Sequence, residues 1–192
     1  KYFGCLKYST QIKNEICKET GLTISFGLAS NKTVSKVATG EAKPNNQILV
    51  QRGTEKSFLA PLSIRKIPMV GEKTYNILCD LGIKRIQTVQ EMPIGMMTKV
   101  FGKHGCGIWK KANGIDNSPV IKYHERKSIS TENTFEKDTT DLEKLKSNIV
   151  AMTESLIFQL RRSNKLTACI TFKIRYSDFQ TYTKQKKIAY SS

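Results

Sequence analysis

The hydrophobic positions along the chain change period several times, and the changes divide it. Over residues 1–20, Leu6, Ile12 and Ile16 fall at helical spacings with Lys7, Lys13 and Lys18 between them, and Gly21 follows as a stop, so one amphipathic helix is predicted. Leu22, Ile24 and Phe26 then alternate with Thr23 and Ser25, as in a half-buried strand. Gly27 allows a tight turn. Ser30 and Asn31 are good caps for a helix with the apolar stripe Val34, Val37 and Ala38, which Pro44 ends. Pro44 also pushes Lys43 towards an extended conformation, leaving a lysine at a corner where it can reach an anion beside the sheet edge. With a short strand at Ile48-Leu49-Val50, this is part of an α/β layer and too little for a whole sheet; its partner strands are expected upstream of Lys1.

Residues 54–117 change character to several short helices with glycine corners. Ile67-Pro68-Met69-Val70-Gly71-Glu72-Lys73-Thr74, followed by Ile77, Leu78, Leu81 and Gly82-Ile83, fits a helix-hairpin-helix. Gly71 lets backbone approach a phosphate, the next helix begins there with free N–H groups facing the anion, and Lys73 adds a mobile charge. Such a device grips a DNA backbone without reading sequence. Met69 stands where the motif usually has its first glycine, and an ordinary helical hairpin is the competing reading. A second glycine corner, Gly102-Lys103-His104-Gly105, leads into Ile108 and Trp109; it lacks the first glycine and the Ser/Thr of a P-loop. Trp109 reads as a core residue and His104 as a surface or hinge residue. Residues 118–125, with Pro119 and no period, read as a linker.

In residues 126–192, Ile129, Thr131, Asn133 and Phe135 share one face of a predicted strand. Thr140-Asp141-Leu142-Glu143 is a capping box for a helix carrying Leu142, Leu145, Ile149, Met152, Leu156 and Leu160. Leu166 to Tyr176 is the clearest strand: Leu166, Ala168, Ile170, Phe172, Ile174 and Tyr176 face one way, Thr167, Cys169, Thr171, Lys173 and Arg175 the other. Phe179 to Tyr190 is the expected antiparallel return. A β-α-β-β order with a lysine-bearing face can lie against a DNA backbone; a solvated face is the alternative.

Composition sharpens this picture. The chain has 192 residues, 39% of them hydrophobic, and a formal net charge of +16. The excess is +4 over residues 1–48, +6 over 49–117 and +6 over 118–192, so it is spread over folded pieces rather than confined to a tail. That suits a polyanion such as nucleic acid, against the competing reading of a merely soluble basic surface. The five cysteines are scattered without a CxxC pair, and His104 with Cys106 has no second ligand pair at zinc spacing, which fits buried thiols in a reducing cytoplasm. No apolar run reaches membrane-spanning length, and no signal peptide opens the chain. The start at Lys1 without Met suggests a fragment.

Gly27-Leu28-Ala29-Ser30-Asn31-Lys32, Ser35-Lys36-Val37-Ala38 and Lys43-Pro44-Asn45-Asn46 resemble the closing part of the palm in Y-family (DinB-like, DNA polymerase IV type) translesion DNA polymerases. The family's pattern there is close to GIS-x-NK-x-x-AK-x-A…KPNG; Ser35 replaces its usual Ala and Asn46 its usual Gly. Phe101-Gly102-Lys103 through Gly114-Ile115-Asp116 to Pro119-Val120 resembles the end of the family's thumb. Arg126-Lys127-Ser128-Ile129, Glu132, Thr134-Phe135 and Asp138 are similar to the opening of its little finger. The resemblance implies an α+β multidomain chain: residues 1–50 the C-terminal part of an α/β palm, 51–117 a small all-helical thumb, 118–125 a linker and 126–192 an incomplete β-α-β-β little finger.

It also implies a DNA-directed DNA polymerase that transfers a nucleotide from dNTP to a primer 3′-hydroxyl, in translesion synthesis and DNA repair in the cytoplasm. Mg2+ would be held by carboxylates upstream of Lys1. Glu15, Glu19 and Glu41 stand singly, with no paired carboxylate or Ser/His/Asp set, so no residue here is expected to be catalytic or to bind metal, and the chain alone is expected to be inactive. By resemblance Lys43 contacts the incoming triphosphate. Gly71, Lys73, Gly102, Lys103, Gly105, Arg126, Lys127, Ser128, Lys173 and Arg175 are the expected DNA contacts. Primer-template DNA and dNTP are the expected partners, with no membrane; a sliding clamp would bind through a segment outside this chain, which carries no clamp motif. A non-catalytic DNA-binding protein built on the same modules is the alternative.

Overall fold

Helix α1 (Tyr2–Thr20) opens the chain in a computed structural model that describes residues 2–189, with side chains from residue 4 onward. The Gly21 amide closes it on the Cys17 carbonyl. Its half-buried face is Leu6, Thr10, Lys13 and Cys17, while Ile12 and Ile16, expected on the apolar stripe, are exposed. Thr10 and Lys13 turn inward because both find acceptors, Gln47 Oε1 at 3.2 Å and the Asn45 carbonyl at 2.9 Å. Lys1, where the expected helix starts, lies outside the described residues.

Strand β1 (Phe26–Leu28), helix α2 (Lys32–Glu41) and strand β2 (Gln47–Leu49) form a parallel β-α-β unit with Gly27 opposite Ile48. The strand expected from Leu22 begins only at Phe26. β2 is the only neighbour of β1 among the described residues, and its three residues leave nothing for Leu22 to Ser25 to pair with. Asn31 caps α2, its Oδ1 accepting from the Val34 amide at 3.0 Å. Helix and strand lie so close that a Cβ on Gly27 would sit 2.5 Å from the Ala38 Cβ and from the Thr39 amide nitrogen. Ser35 Oγ donates to the Gly27 carbonyl at 2.7 Å, which gives a physical use to the hydroxyl at a position where alanine is usual.

Four helices follow, α3 (Glu55–Leu59), α4 (Glu72–Asp80), α5 (Ile86–Glu91) and α6 (Ile94–Ala112), with a 3-10 turn at Ile64–Lys66 before α4. Leu59, Ile64, Ile67, Leu78, Ile86, Val89, Met97 and Ile108 join Val34, Val37 and Ala38 of α2 in one core. At roughly 1.5–3 kcal/mol for each fully buried large side chain, this core binds the helical segment to the β-α-β unit. The chain accordingly divides into two compact units, one ending at Ile121 and one starting at Lys122. Trp109 packs against the same core and donates Nε1–H to the Met92 carbonyl at 2.8 Å, as expected of a core residue.

The second unit contains helix α7 (Leu142–Arg162) and an antiparallel pair, β3 (Cys169–Arg175) and β4 (Thr181–Lys187), with Phe172 opposite Lys184. Asp141, not Thr140, caps α7, its Oδ1 alone accepting from both the Glu143 and Lys144 amides. The strand expected over Ile129 to Phe135 does not form. This segment is held by side chains alone, through Asn133 on Asn148, Glu132 beside Arg175 and Phe135 under Lys144, and no ladder partner exists for its backbone among the described residues. The order here is therefore α-β-β rather than β-α-β-β. The expected return strand ends at Lys187, and Tyr190 lies outside the described residues.

Candidate nucleic-acid interface

Two hairpins in the first unit present backbone to solvent. In the first, Ile67 to Gly71 turns into α4, and Met69 holds φ +92°. This is a backbone that glycine favours, at the position where a helix-hairpin-helix usually has one. Replacing Met69 with β-branched Val is expected to cost about 1–2 kcal/mol, while Gly should equal or exceed the wild type. Thermal unfolding of both variants checks this. Gly71 is the N-cap of α4, exposed and without a side-chain cap. The first amide of α4 to find a backbone acceptor is that of Tyr75, on the Gly71 carbonyl at 2.8 Å. The amides of Glu72, Lys73 and Thr74 have no hydrogen-bond acceptor among the described residues, and Lys73 beside them is exposed with no ion pair. An anion at this turn would meet free donors and the positive end of a helix dipole.

The second hairpin is a kink inside α6 at Gly102, with φ 58° and ψ −142°, a conformation closed to residues with a Cβ. Lys103 stands exposed beside it. Gly105 departs from the expectation. It is buried, and a Cβ there would lie 2.0 Å from the Met97 carbonyl oxygen. Its lack of a side chain lets the two arms of α6 close on each other, which gives this glycine a packing use. The hairpins adjoin, since the Met69 Cε lies 3.4 Å from where a Gly107 Cβ would be.

Lys43 sits in the exposed turn between α2 and β2 with no hydrogen bond or ion pair among the described residues. α2 stops at Glu41, before Pro44, and Ala42 caps it. Nearby, Lys66 forms an ion pair with Glu41 at 2.7 Å, without the geometry of a hydrogen bond.

In the second unit, Arg126 and Lys127 line an open cleft with His124, Glu125, Lys165 and Leu166. Lys165 pairs with Glu125 and holds its carboxyl below the usual range, while Arg126 and Lys127 have no ion pair among the described residues. Ser128 is exposed beside them but does not line it. Lys173 and Arg175 share one face of β3, opposite Thr183 and Thr181. Lys173 is exposed and has no ion pair among the described residues, while Arg175 lies 3.7 Å from Glu132 and over the Phe179 ring.

Sequence reasoning missed a network that joins two of its own motifs. Asp116 Oδ2 accepts from the Thr33 amide at 3.1 Å and from Thr33 Oγ1 at 2.7 Å, while Oδ1 accepts from the Ser118 amide and hydroxyl. Lys111 Nζ donates to Thr33 Oγ1 at 2.9 Å and lies 4.0 Å from Asp116. Asn31 Nδ2 donates to the Gly114 carbonyl at 2.8 Å. Burial disfavours charge on Asp116, but the bonds from Ser118 and Thr33 and the Lys111 ammonium outweigh it and hold the carboxyl far below the usual range. Ser30 lowers the Glu55 carboxyl in the same way through a hydrogen bond. The signal was the Asp-x-Ser spacing at Asp116 and Ser118, a local side-chain-to-backbone turn.

Known proteins bear on this arrangement. The profile of the impB/mucB/samB family matches residues 2–40, and that of the impB/mucB/samB family C-terminal domain matches residues 126–192. The chain belongs to this family, the Y-family polymerases that its motifs resemble. It is 38% identical over 180 residues to DNA polymerase IV of Dehalococcoides mccartyi, covering 94% of this chain and 46% of that protein. It is 34% identical over 182 residues to DNA polymerase IV 2 of Methanosarcina mazei, covering 95% of this chain and 49% of that protein. The chain thus spans about half the length of the curated relatives it matches. In fold it is similar to an insertion ternary complex of Dbh DNA polymerase, with TM-score 0.62 and 21% identity over 97% of this chain and 54% of that one. DinB from Sulfolobus solfataricus gives TM-score 0.55 and 21% identity over 99% of this chain and 55% of that one.

Proposed function

We propose that this chain supplies the DNA-gripping part of a Y-family DNA-directed DNA polymerase acting in translesion synthesis and DNA repair. The observation that carries the proposal is the turn into α4, where three amides have no acceptor among the described residues and Lys73 stands exposed beside them; we read this turn as a helix-hairpin-helix. Residues 51–117 then act as the thumb, holding DNA phosphates at Gly71, Lys73, Gly102 and Lys103. Residues 126–192 act as the little finger, laying Arg126, Lys127, Ser128, Lys173 and Arg175 along the backbone. Residues 1–50 close the palm, where Lys43 meets the triphosphate of the incoming dNTP. All of these contacts are electrostatic and sequence-independent, as suits an enzyme that must accept altered templates.

Membership of the family points to a divalent metal, and Mg2+ is our choice of ion. Among the described residues no three of His, Cys, Asp or Glu stand together, so these residues do not fit such a site, and we place its ligands outside this chain. Any sliding-clamp contact is placed outside it as well. Cytoplasmic action is part of the same proposal, supported by the reduced thiols of Cys17, Cys79, Cys106 and Cys169.

Primer extension with Mg2+ and all four dNTPs tests the reading. The chain alone should extend nothing, and the chain joined to the N-terminal half of the D. mccartyi relative should extend. Extension by the chain alone would overturn its assigned inactivity. A joined protein that binds DNA but never extends would favour the non-catalytic alternative. In the binding arm, Lys73→Gln and Lys127→Gln should each reduce the slope of log affinity against log salt by about 1 and weaken all sequences alike.

A further inference from the structure

Three residues of the first turn of α2 hold three points of the chain as it leaves α6. Asn31 Nδ2 donates to the Gly114 carbonyl at 2.8 Å, Thr33 binds Asp116 through both amide and hydroxyl, and Lys32 Nζ donates to the Pro119 carbonyl at 2.9 Å. Asp116 in turn binds the Ser118 amide at 3.1 Å, so the backbone on both sides of it is tied down. Most of the α2 N-terminal amides that usually await an anion are already used here, by Asn31 and Asp116. Asp116 and its helper Lys111 keep only 11% and 22% of their side-chain surface exposed, which shields the ties from water.

We propose that Asp116 and Thr33 are positioning residues that anchor the root of the linker between the two units. On this account the free tether is residues 120–125 rather than 116–125, since the Gly114 and Ile115 amides are already held by the Lys111 and Lys110 carbonyls. A tethered second binding event strengthens as the tether shortens, roughly as the −3/2 power of length, so this shortening raises the effective concentration of the second unit about twofold. The inference rests on the proposal that both units grip one DNA.

The test uses the whole chain with Thr33→Val, Thr33→Ser and Asp116→Asn. Hydrogen exchange of the Ser118 amide should accelerate at least about tenfold in Asp116→Asn and measurably in Thr33→Val, with Thr33→Ser close to wild type. Affinity for a primer-template long enough to engage both units should fall about twofold in Asp116→Asn and Thr33→Val, with affinity for a short duplex unchanged. The sign is diagnostic. Asp116→Asn removes a negative charge, and electrostatics alone would tighten DNA binding. Unchanged Ser118 exchange, or tighter binding of the long DNA by Asp116→Asn, would overturn the anchor. If the wild-type chain binds no DNA, the proposed function fails, and the exchange arm still decides the anchor.

Discussion

Gly105→Ala should unfold the first unit at a temperature lower by roughly 10 °C or more, the largest effect expected of any single methyl group here. The new Cβ would lie 2.0 Å from the Met97 carbonyl oxygen and 2.9 Å from the Phe101 Cβ. Backbone on one side and a helical side chain on the other leave no flexible neighbour to yield. The arms of α6 must then spread, and Met97 and Ile108, both fully buried, lose their packing. A cost of about 3 kcal/mol is reasonable for overpacking at such a site. The kink at Gly102 sets the direction of the second arm, so the hairpin bearing Lys103 should loosen with it. Calorimetry of the variant checks the size, and a melting temperature within a degree or two of wild type would show that the two arms do not meet as described.

Asp116→Asn should cost about 2–3 kcal/mol at pH 7, because the N–H2 side of the amide then meets a backbone N–H that loses its acceptor, and the hydroxyl beside it must reverse its own bond. The sign of the pH dependence follows from the lowered carboxyl. A group that binds its proton less tightly when folded adds stability above its unfolded pKa, near 4, and loses it as pH falls below that. The gap between wild type and variant should therefore be full at pH 7 and shrink steadily below pH 4. Urea midpoints at pH 7 and pH 3 measure it. A gap of constant size would mean that the charge on Asp116 contributes nothing and that only shape matters.

Much of this arrangement was legible in the residues, and the rest failed for identifiable reasons. The α7 helix appears where its stripe predicts, with Leu145, Met152, Leu156 and Leu160 half-buried, because a period repeated over many residues resists local exceptions. The strand expected over Leu166 to Tyr176 forms only over Cys169–Arg175, and Ile170 and Phe172 of its apolar face are exposed. Gly71 was readable as a helix start and Met69 as a departure, and the structure keeps a glycine-like backbone at Met69 all the same. The strand over Ile129 to Phe135 shows the opposite case. Alternation states which side chains share a face, but a strand also needs a backbone partner, which no local pattern supplies. Gly105 looked like a phosphate contact because glycine serves close approach of any kind, and sequence does not say whether the approaching group is a ligand or the Met97 carbonyl. The union of α2 with the helical segment in one core, and the Asp116 to Thr33 ties, depend on contacts between residues some eighty positions apart, beyond the reach of any periodicity.

If the proposed function holds, folded, basic surfaces of this chain grip primer-template DNA by its phosphates, and fluorescence anisotropy of a labelled primer-template titrated with the 192-residue chain at several salt concentrations measures that grip. The expected result is binding whose log affinity falls linearly with log salt, with a slope of about −5, and little difference between sequences. Absence of binding at low salt, or a slope near zero, would contradict it.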